Sequence, residues 1–357
     1  MPGKNVLVVG TGTIGEPLIA MLTRNREALG VERVFFHKNT PLKTDRSKVW
    51  ALQQAGGELC VDPSRADAFR ALDIEPKLEF EQAIDDSAVV IDCTPIGNRM
   101  KEQVYSRFVS PSRLFIAQGS EFGFGHMYAR RINDETLDAA VGDKSDKFIQ
   151  VVSCNTHNLS ILCRLLGFDG GDNVLREGRF LCMRRATDIS DGDKFIPAPS
   201  VGKHSDARFG THHARDAWHL YQTKGIDLNL FSSAVKLNTQ YMHAIYFHIE
   251  RTKPIDLDTV RRRFAADDLV ALTHKDNAST IFSFGRDHGL YGRILNQTVI
   301  VNQSLAVRND HEVIGYCFTP QDGNSLLSSI AATCYHLERA TYTERIQVFK
   351  PYFFGEV

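Results

Sequence analysis

Gly10-Thr11-Gly12-Thr13-Ile14-Gly15 constrains this chain more than any other segment. It fits the spacing G-x-G-x-x-G, follows at once the apolar run Val6–Val9, and opens the helix-like stretch Glu16–Ala28. In such a turn the first glycine permits a tight reversal and the second lets a pyrophosphate approach the backbone. The third allows the helix to lie close on the strand, and the phosphates rest on the helix N-terminus. A tight turn with no ligand is the plainer reading, but a strand before and a helix after are the context that dinucleotide binding requires. Gly10, Gly12, Thr13, Ile14 and Gly15 are therefore the expected cofactor contacts.

An NAD-preferring site usually carries a carboxylate about 20 residues further on, at the ribose 2′-hydroxyl. Here the second apolar run ends Phe36-His37-Lys38-Asn39-Thr40, with no acid among them. Lys38 can meet a 2′-phosphate, with Asn39 and Thr40 donating hydrogen bonds, so NADP is favoured over NAD. A solvated loop lysine is the alternative.

Val6–Val9, Val34–Phe36, Val89–Ile91 and Leu114–Ala117 are short, apolar on both faces and free of charge, as strands buried between helix layers are. Glu16–Ala28, Glu81–Asp86 and Lys101–Phe108 read as intervening helices. That alternation predicts an α/β fold with a Rossmann-type, doubly wound parallel sheet. After Val151 the texture changes. Leu159–Leu166 is an apolar helical stretch, and Phe180–Met183, Ala234–Leu237, Ala244–Ile249, Leu269–Leu272 and Thr298–Val301 are β-type. Several alternate apolar and polar residues, which predicts an α+β second domain on a mostly antiparallel sheet. Asp188–Asp216, with Pro197 and Pro199, reads as a polar loop over a site. Past the breakers Pro320 and Gly323, Ser325–Arg339 reads as a helix. The expected domains are 1–152 for the dinucleotide and 153–321 for catalysis, with a C-terminal helix at about 322–345 returning to the first.

Lys+Arg 42 against Asp+Glu 43 give a net charge of −1, so no electrostatic argument points to nucleic acid or an anionic membrane. No run of 18 apolar residues occurs, and no signal-peptide pattern follows Met1-Pro2-Gly3-Lys4. The seven cysteines are odd in number and scattered, which suits reduced thiols and a cytoplasmic protein.

Cys154 follows Val151-Val152 and precedes a helix expected to begin near Asn155. A helix N-terminus favours the thiolate, so this cysteine is expected to have a lowered pKa and to attack an aldehyde beside a nicotinamide. Its own backbone N–H and the Asn155 side chain are candidate oxyanion donors. Arg184-Arg185 ends a β-type run, where paired guanidiniums can fork onto a phosphate. Thr211-His212-His213 lies in the polar loop, and His243 sits in an apolar run. A metal at His204, His212, His213 and His219 is disfavoured, because no tight ligand pair accompanies them.

These segments resemble one family. Val8-Val9-Gly10-Thr11-Gly12-Thr13-Ile14-Gly15, Ile91-Asp92-Cys93-Thr94-Pro95, Gln118-Gly119 and Val152-Ser153-Cys154-Asn155-Thr156 are similar to archaeal-type (type II) glyceraldehyde-3-phosphate dehydrogenase. The order continues with Met183-Arg184-Arg185, Ile196-Pro197, Thr211-His212-His213 and Tyr241-Met242-His243, from residue 6 to about 245. The resemblance implies a two-domain homotetrameric subunit that uses NADP or NAD, with Cys154 as nucleophile and His243 as catalytic histidine. It also implies phosphate binding by Arg184, Arg185, His212 and His213, a substrate contact at Thr156, and cofactor contacts at Thr94, Pro95, Gln118 and Gly119.

The chain departs from the family where His157-Asn158-Leu159-Ser160-Ile161 replaces Thr-Gly-Leu-Cys-Arg and where Ala186-Thr187-Asp188-Ile189 replaces Ala-Asp-Pro. Gln118-Gly119-Ser120-Glu121-Phe122 lacks the usual second glycine and lysine. The expected function is phosphorylating oxidation of glyceraldehyde 3-phosphate: a hemithioacetal on Cys154, proton removal by His243, hydride transfer, and phosphorolysis to an acyl phosphate. The alternatives are the same chemistry on another phosphorylated or acidic aldehyde, and a catalytically silent NAD(P)-binding protein.

Overall fold

The computed structural model describes residues 3–119, 121–142, 146–188, 195–320 and 322–357. The chain divides into two compact units. The first comprises Met1–Tyr128, Glu135–Val151 and Ser328–Val348. The second comprises Ala129–Asp134, Val152–Leu327 and Phe349–Val357.

The first unit holds strands β1 (Gly3–Val9), β2 (Val34–His37), β3 (Glu58–Val61), β4 (Leu78–Glu79), β5 (Ser87–Asp92), β6 (Leu114–Gln118), β7 (His126–Tyr128) and β8 (Phe148–Val151). They form one all-parallel sheet in the order β4-β3-β2-β1-β5-β6-β8-β7. β2, β5, β6 and β8 are buried along their whole length, as expected of strands covered on both faces. Helices α1 (Gly15–Arg24), α2 (Arg26–Leu29), α3 (Arg46–Gln54), α4 (Ala66–Arg70), α5 (Phe80–Asp85), α6 (Gly97–Gln103) and α7 (Thr136–Val141) link them. Strand order reverses at β1, where Val9 lies level with His37 on one side and Asp92 on the other. Ligands of open parallel sheets bind at such a switch point, off the carboxyl ends of the strands.

Two helices are shorter than their sequence suggests. Glu16–Ala28 is not continuous, because the backbone N–H and the side-chain Nδ2 of Asn25 both donate to the Met21 carbonyl and end α1. Lys101–Phe108 begins earlier, at Gly97, and gives way after Gln103 to a 3₁₀ turn at Tyr105–Phe108. There the Tyr105 hydroxyl donates to buried Asp92 Oδ2 at 2.6 Å.

The second unit holds a small ribbon, β9 (Phe168–Asp169) with β10 (Asp172–Asn173), and a larger mixed sheet. The latter contains β11 (Leu175–Arg184), β12 (Ser200–Val201), β13 (Leu230–Lys236), β14 (His243–Arg251), β15 (Val270–Thr273), β16 (Thr298–Val301), β17 (Ala306–Arg308) and β18 (Glu312–Thr319). Its order is β12-β13-β11-β14-β18-β16-β15, with β17 also on β18, and five of the seven pairings are antiparallel. β14 alternates buried and half-buried residues, so one face of the sheet is covered. Helix α8 (Cys154–Leu166) packs against β11, β14 and β18 and buries ten of its thirteen residues, accompanied by α9 (His212–Gln222), α10 (Leu257–Ala265) and α11 (Ala278–His288).

The carboxyl end of α8 is closed by two arginines. Fully buried Arg251 donates to the Leu166 carbonyl at 2.9 Å, and Arg263 to those of Leu165 and Phe168 at 3.0 Å each. Both guanidiniums meet the Asp169 carboxylate. Helix α12 (Gly323–Leu337) carries the division between units at Leu327/Ser328, and α13 (Tyr342–Arg345) follows in the first. No helix among the described residues is long and apolar enough to cross a membrane.

The polar stretch Asp188–Asp216 is not wholly a loop. It contains β12, and α9 starts inside it at His212. Residues 189–194, among them Ile189, lie outside the described residues, as does Ser120.

Candidate active site

In the first unit the glycine turn is built around the backbone. Gly10 takes a φ of +96° and donates its N–H to the His37 carbonyl at 3.0 Å. A Cβ on Gly15 would stand 2.0 Å from the Gly10 carbonyl oxygen, so only glycine lets α1 start this close to the loop. A Cβ on Gly12 would meet nothing within 4 Å, which leaves open space over the turn. Ile14 at the N-cap of α1 supplies no side-chain hydrogen bond, while the Glu16 N–H donates to the Gly12 carbonyl at 3.0 Å and Pro17 has no N–H. The open space over Gly12 fits a diphosphate.

Lys38 is buried, and its ammonium donates to Asp45 Oδ2 at 2.5 Å, while Asn39 and Thr40 are exposed. Lys48, which the sequence reading passed over, donates to the Thr11 carbonyl at 3.3 Å and stands 3.6 Å from both Asp45 and Glu16. Two ammonium groups and two carboxylates thus flank the glycine turn. Thr94 bonds through N and Oγ1 to Asp92 Oδ1, with Pro95 exposed beside it. Gln118 and Gln150, at the ends of β6 and β8, each keep a buried amide oxygen without a partner among the described residues. These acceptors are further features that fit a bound cofactor.

In the second unit Cys154 is the first residue of α8. Ser153 at the N-cap accepts from the Thr156 N–H at 3.3 Å. The lowered thiol pKa expected from the helix N-terminus is not found. Burial pushes the thiol up to about 12 and Asp322 adds to this, against the opposing pull of Arg185, the Asn155 N–H and Arg184. Desolvation outweighs the dipole. Thr156 is fully buried, with its hydroxyl 3.0 Å from that of Ser153.

Arg184 is exposed at the end of β11, whereas the side chain of Arg185 is buried and donates to Asp188 Oδ1. The two guanidiniums therefore do not form one fork. The backbone N–H of Arg185 donates to Nδ1 of buried His243 at 3.0 Å. Burial, Arg185 and Arg184 push His243 down to about 3, so the ring is neutral. With Nδ1 accepting, the proton of a neutral imidazole sits on Nε2. His243 is accordingly a hydrogen-bond donor as placed, and the proton-acceptor role expected from sequence would require release of Nδ1.

His212 and His213 open α9, with ring centroids 3.9 Å apart. Burial, then Arg184 and Arg215, push His212 down to about 4. Burial, then His212, Arg184 and His243, hold His213 well below the ordinary imidazole range. His213 is 3% exposed, and neither of its ring nitrogens has a partner among the described residues. The α9 N-terminus is capped from β13, where Ser232 Oγ accepts from the Ala214 N–H at 3.0 Å. Cys154, Arg184, Arg185, His212, His213 and His243 thus lie in a single unit and are linked electrostatically. Among the described residues, no group of three or more His, Cys, Asp or Glu side chains is placed to hold a metal.

Asp322 and Asn324 were missed from the sequence. Asn324 Nδ2 donates to the Cys154 carbonyl at 3.0 Å. Their only signal is a polar Asp-Gly-Asn cluster opening the C-terminal helix, about 170 residues from the cysteine.

A parallel Rossmann-like sheet and a mixed, mostly antiparallel sheet bearing a helix-borne cysteine with arginines and histidines define a two-unit α/β chain. No family model matches the chain. It is similar to the glyceraldehyde-3-phosphate dehydrogenases of Pyrobaculum arsenaticum (24% identical over 322 residues), Methanopyrus kandleri (26% over 325) and Sulfolobus acidocaldarius (26% over 324). Each alignment covers 87% of this chain and 85–86% of the relative. The resemblance to the archaeal-type family therefore extends along most of the chain.

Proposed function

We propose that this protein is an NAD(P)-dependent, phosphorylating aldehyde dehydrogenase acting on glyceraldehyde 3-phosphate. The gathering of Cys154, Arg184, His212, His213 and His243 in one unit carries the proposal, and the similarity to archaeal glyceraldehyde-3-phosphate dehydrogenases supports it.

Gly10, Gly12, Thr13, Ile14 and Gly15 hold the cofactor diphosphate, Lys38 with Asn39 and Thr40 the adenosine ribose, and Thr94, Pro95, Gln118 and Gly119 the remainder. When bound, NAD(P) supplies the hydride acceptor that turns the hemithioacetal on Cys154 into a thioester. Arg185, the Asn155 N–H and Arg184 draw the thiol toward thiolate. Thiolate attack on the aldehyde carbon delivers an alkoxide directly, held by Nε2–H of His243, the Cys154 N–H and the Asn155 side chain. Arg184, His212 and His213 bind anionic phosphate: one exposed cation and a helix N-terminus. Inorganic phosphate then attacks the thioester carbon, forming the acyl phosphate and releasing the Cys154 thiolate. On the same reading the subunit is a cytoplasmic homotetramer.

The test is absorbance at 340 nm with glyceraldehyde 3-phosphate and NADP or NAD, with and without inorganic phosphate. Phosphate-dependent reduction is expected, and Cys154→Ser abolishes it while cofactor still binds. Turnover retained in that variant would sink the mechanism. The Arg185–Asp188 pair favours a second reading, the same chemistry on another acidic aldehyde, because it leaves Arg184 alone to meet the substrate anion. A panel of phosphorylated and carboxylated aldehydes separates the two.

A further inference from the structure

Behind the first turn of α8 lies a chain of buried hydrogen bonds that runs from β18 to Asn155. Asn158 Nδ2 donates to the Phe318 carbonyl at 3.4 Å and to Thr319 Oγ1 at 3.0 Å. A backbone carbonyl can only accept, so the Asn158 amide cannot be turned over. Its Oδ1, on the other edge, accepts from Cys317 Sγ at 3.4 Å. Thr319 Oγ1, which accepts from Asn158, donates its one hydroxyl proton to Asn155 Oδ1 at 3.0 Å. Cys317, Asn158 and Thr319 are fully buried and Asn155 is 2% exposed, so no bulk water can substitute for a missing member. Along the series Cys317 to Asn158 to Thr319 to Asn155, the Asn155 edge that meets Thr319 of β18 is Oδ1, which leaves Nδ2 on the opposite edge of the carboxamide. Asn324 Nδ2 donates to the neighbouring Cys154 carbonyl.

We propose that Thr319 and Asn158 are positioning residues that keep Asn155 with its Nδ2–H₂ available to donate to the oxyanion formed when Cys154 attacks a carbonyl carbon. This rests on Cys154 being the nucleophile assigned above, but not on the identity of the aldehyde. If the relay were cut, Asn155 could rotate and present a carbonyl oxygen to a negative charge. That would cost transition-state stabilisation without changing the thiol's reactivity in reactions that develop no oxyanion.

Two reagents separate these effects. p-Nitrophenyl acetate acylates a cysteine through a tetrahedral oxyanion: the thiolate sulfur bonds to the acyl carbon and p-nitrophenolate leaves. Iodoacetamide alkylates by direct displacement of iodide, with no oxyanion. Both rates are measured on the full chain at one pH, with Cys154→Ser subtracting the other thiols and circular dichroism melting reporting the fold. Thr319→Val is expected to slow acylation about 10²-fold with alkylation unchanged, while Thr319→Ser, which keeps the hydroxyl, stays within about threefold of wild type. Asn158→Ala, which frees the Thr319 oxygen, is expected to show the same split and serves if Thr319→Val does not fold. Equal loss of both rates, full acylation in Thr319→Val, a Thr319→Ser as slow as Thr319→Val, or a wild type alkylated but not acylated at Cys154 would each overturn the proposal. A chain that shows the split yet oxidises no glyceraldehyde 3-phosphate would retire the substrate reading and keep the relay.

Discussion

Two strand-to-helix turns, β1 to α1 and β8 to α8, solve opposite problems. Where β1 meets α1, the N-cap residue Ile14 supplies no side-chain hydrogen bond and the position of a Gly12 Cβ is empty. Where β8 meets α8, side chains tie the backbone of the turn. Ser153 takes the Thr156 N–H, His157 Nδ1 lies 3.0 Å from the Ser153 carbonyl, and Asn324 takes the Cys154 carbonyl. On the proposed function, the first turn offers open space over its backbone to an anion, and the second holds one side chain. Recognition by backbone depends on side chains being absent, whereas a fixed nucleophile depends on side chains arriving from elsewhere in the chain.

The largest expected effect strikes the first turn. Gly15→Val places carbon against the Gly10 carbonyl, and NAD(P) affinity measured by fluorescence titration should fall by more than about 100-fold, with Cys154 alkylation intact. Unchanged affinity would mean that the turn is not a backbone cradle. In the second unit, Arg251→Ala strips the carboxyl end of α8 and should cost about 3 kcal/mol in urea unfolding, because Leu166 and Asp169 lose a buried partner. A cost near zero would remove the idea that this helix is held at both ends.

The thiol itself sharpens the contrast. With the pKa near 12, the thiolate fraction at neutral pH is small and grows with each step in pH, so alkylation of the cofactor-free protein should rise about tenfold per pH unit between pH 7 and 9. A plateau in that range would mean that the helix N-terminus outweighs burial after all. The smallest effect belongs to the cofactor's ribose end. Lys38→Ala should raise the Kd for NADP about tenfold relative to that for NAD, a change of about 1.4 kcal/mol. An unchanged ratio would assign the lysine to Asp45 alone.

The parallel sheet was legible because its central strands are uninterrupted apolar runs. The outlying strands were not. Glu58–Val61 and Leu78–Glu79 are too short to carry a period, and α3 buries only Val49 and Leu52 of its nine residues, so no apolar stripe marks it. At the site, the cysteine turn and the arginine and histidine pairs are local patterns and could be read. The fate of each arginine could not: Arg184 and Arg185 are adjacent in sequence, yet one is exposed and the other closed by Asp188. The upward push on the thiol was not legible because a helix N-terminus is visible in sequence, while desolvation is a property of the packed interior. His157 and Asn158 stood out only as departures flanking a substrate. Their partners, the Ser153 carbonyl and the strand around Thr319, show that they brace the turn from behind.

The double anchoring of α8 also sets how the second unit can breathe. With its amino end capped by Ser153 and its carboxyl end closed by Arg251 and Arg263, the helix has no frayed turn from which local opening can spread. Its amide protons should therefore exchange with deuterium only when the whole unit opens, which makes the segment 158–166 a built-in gauge of that unit's global stability.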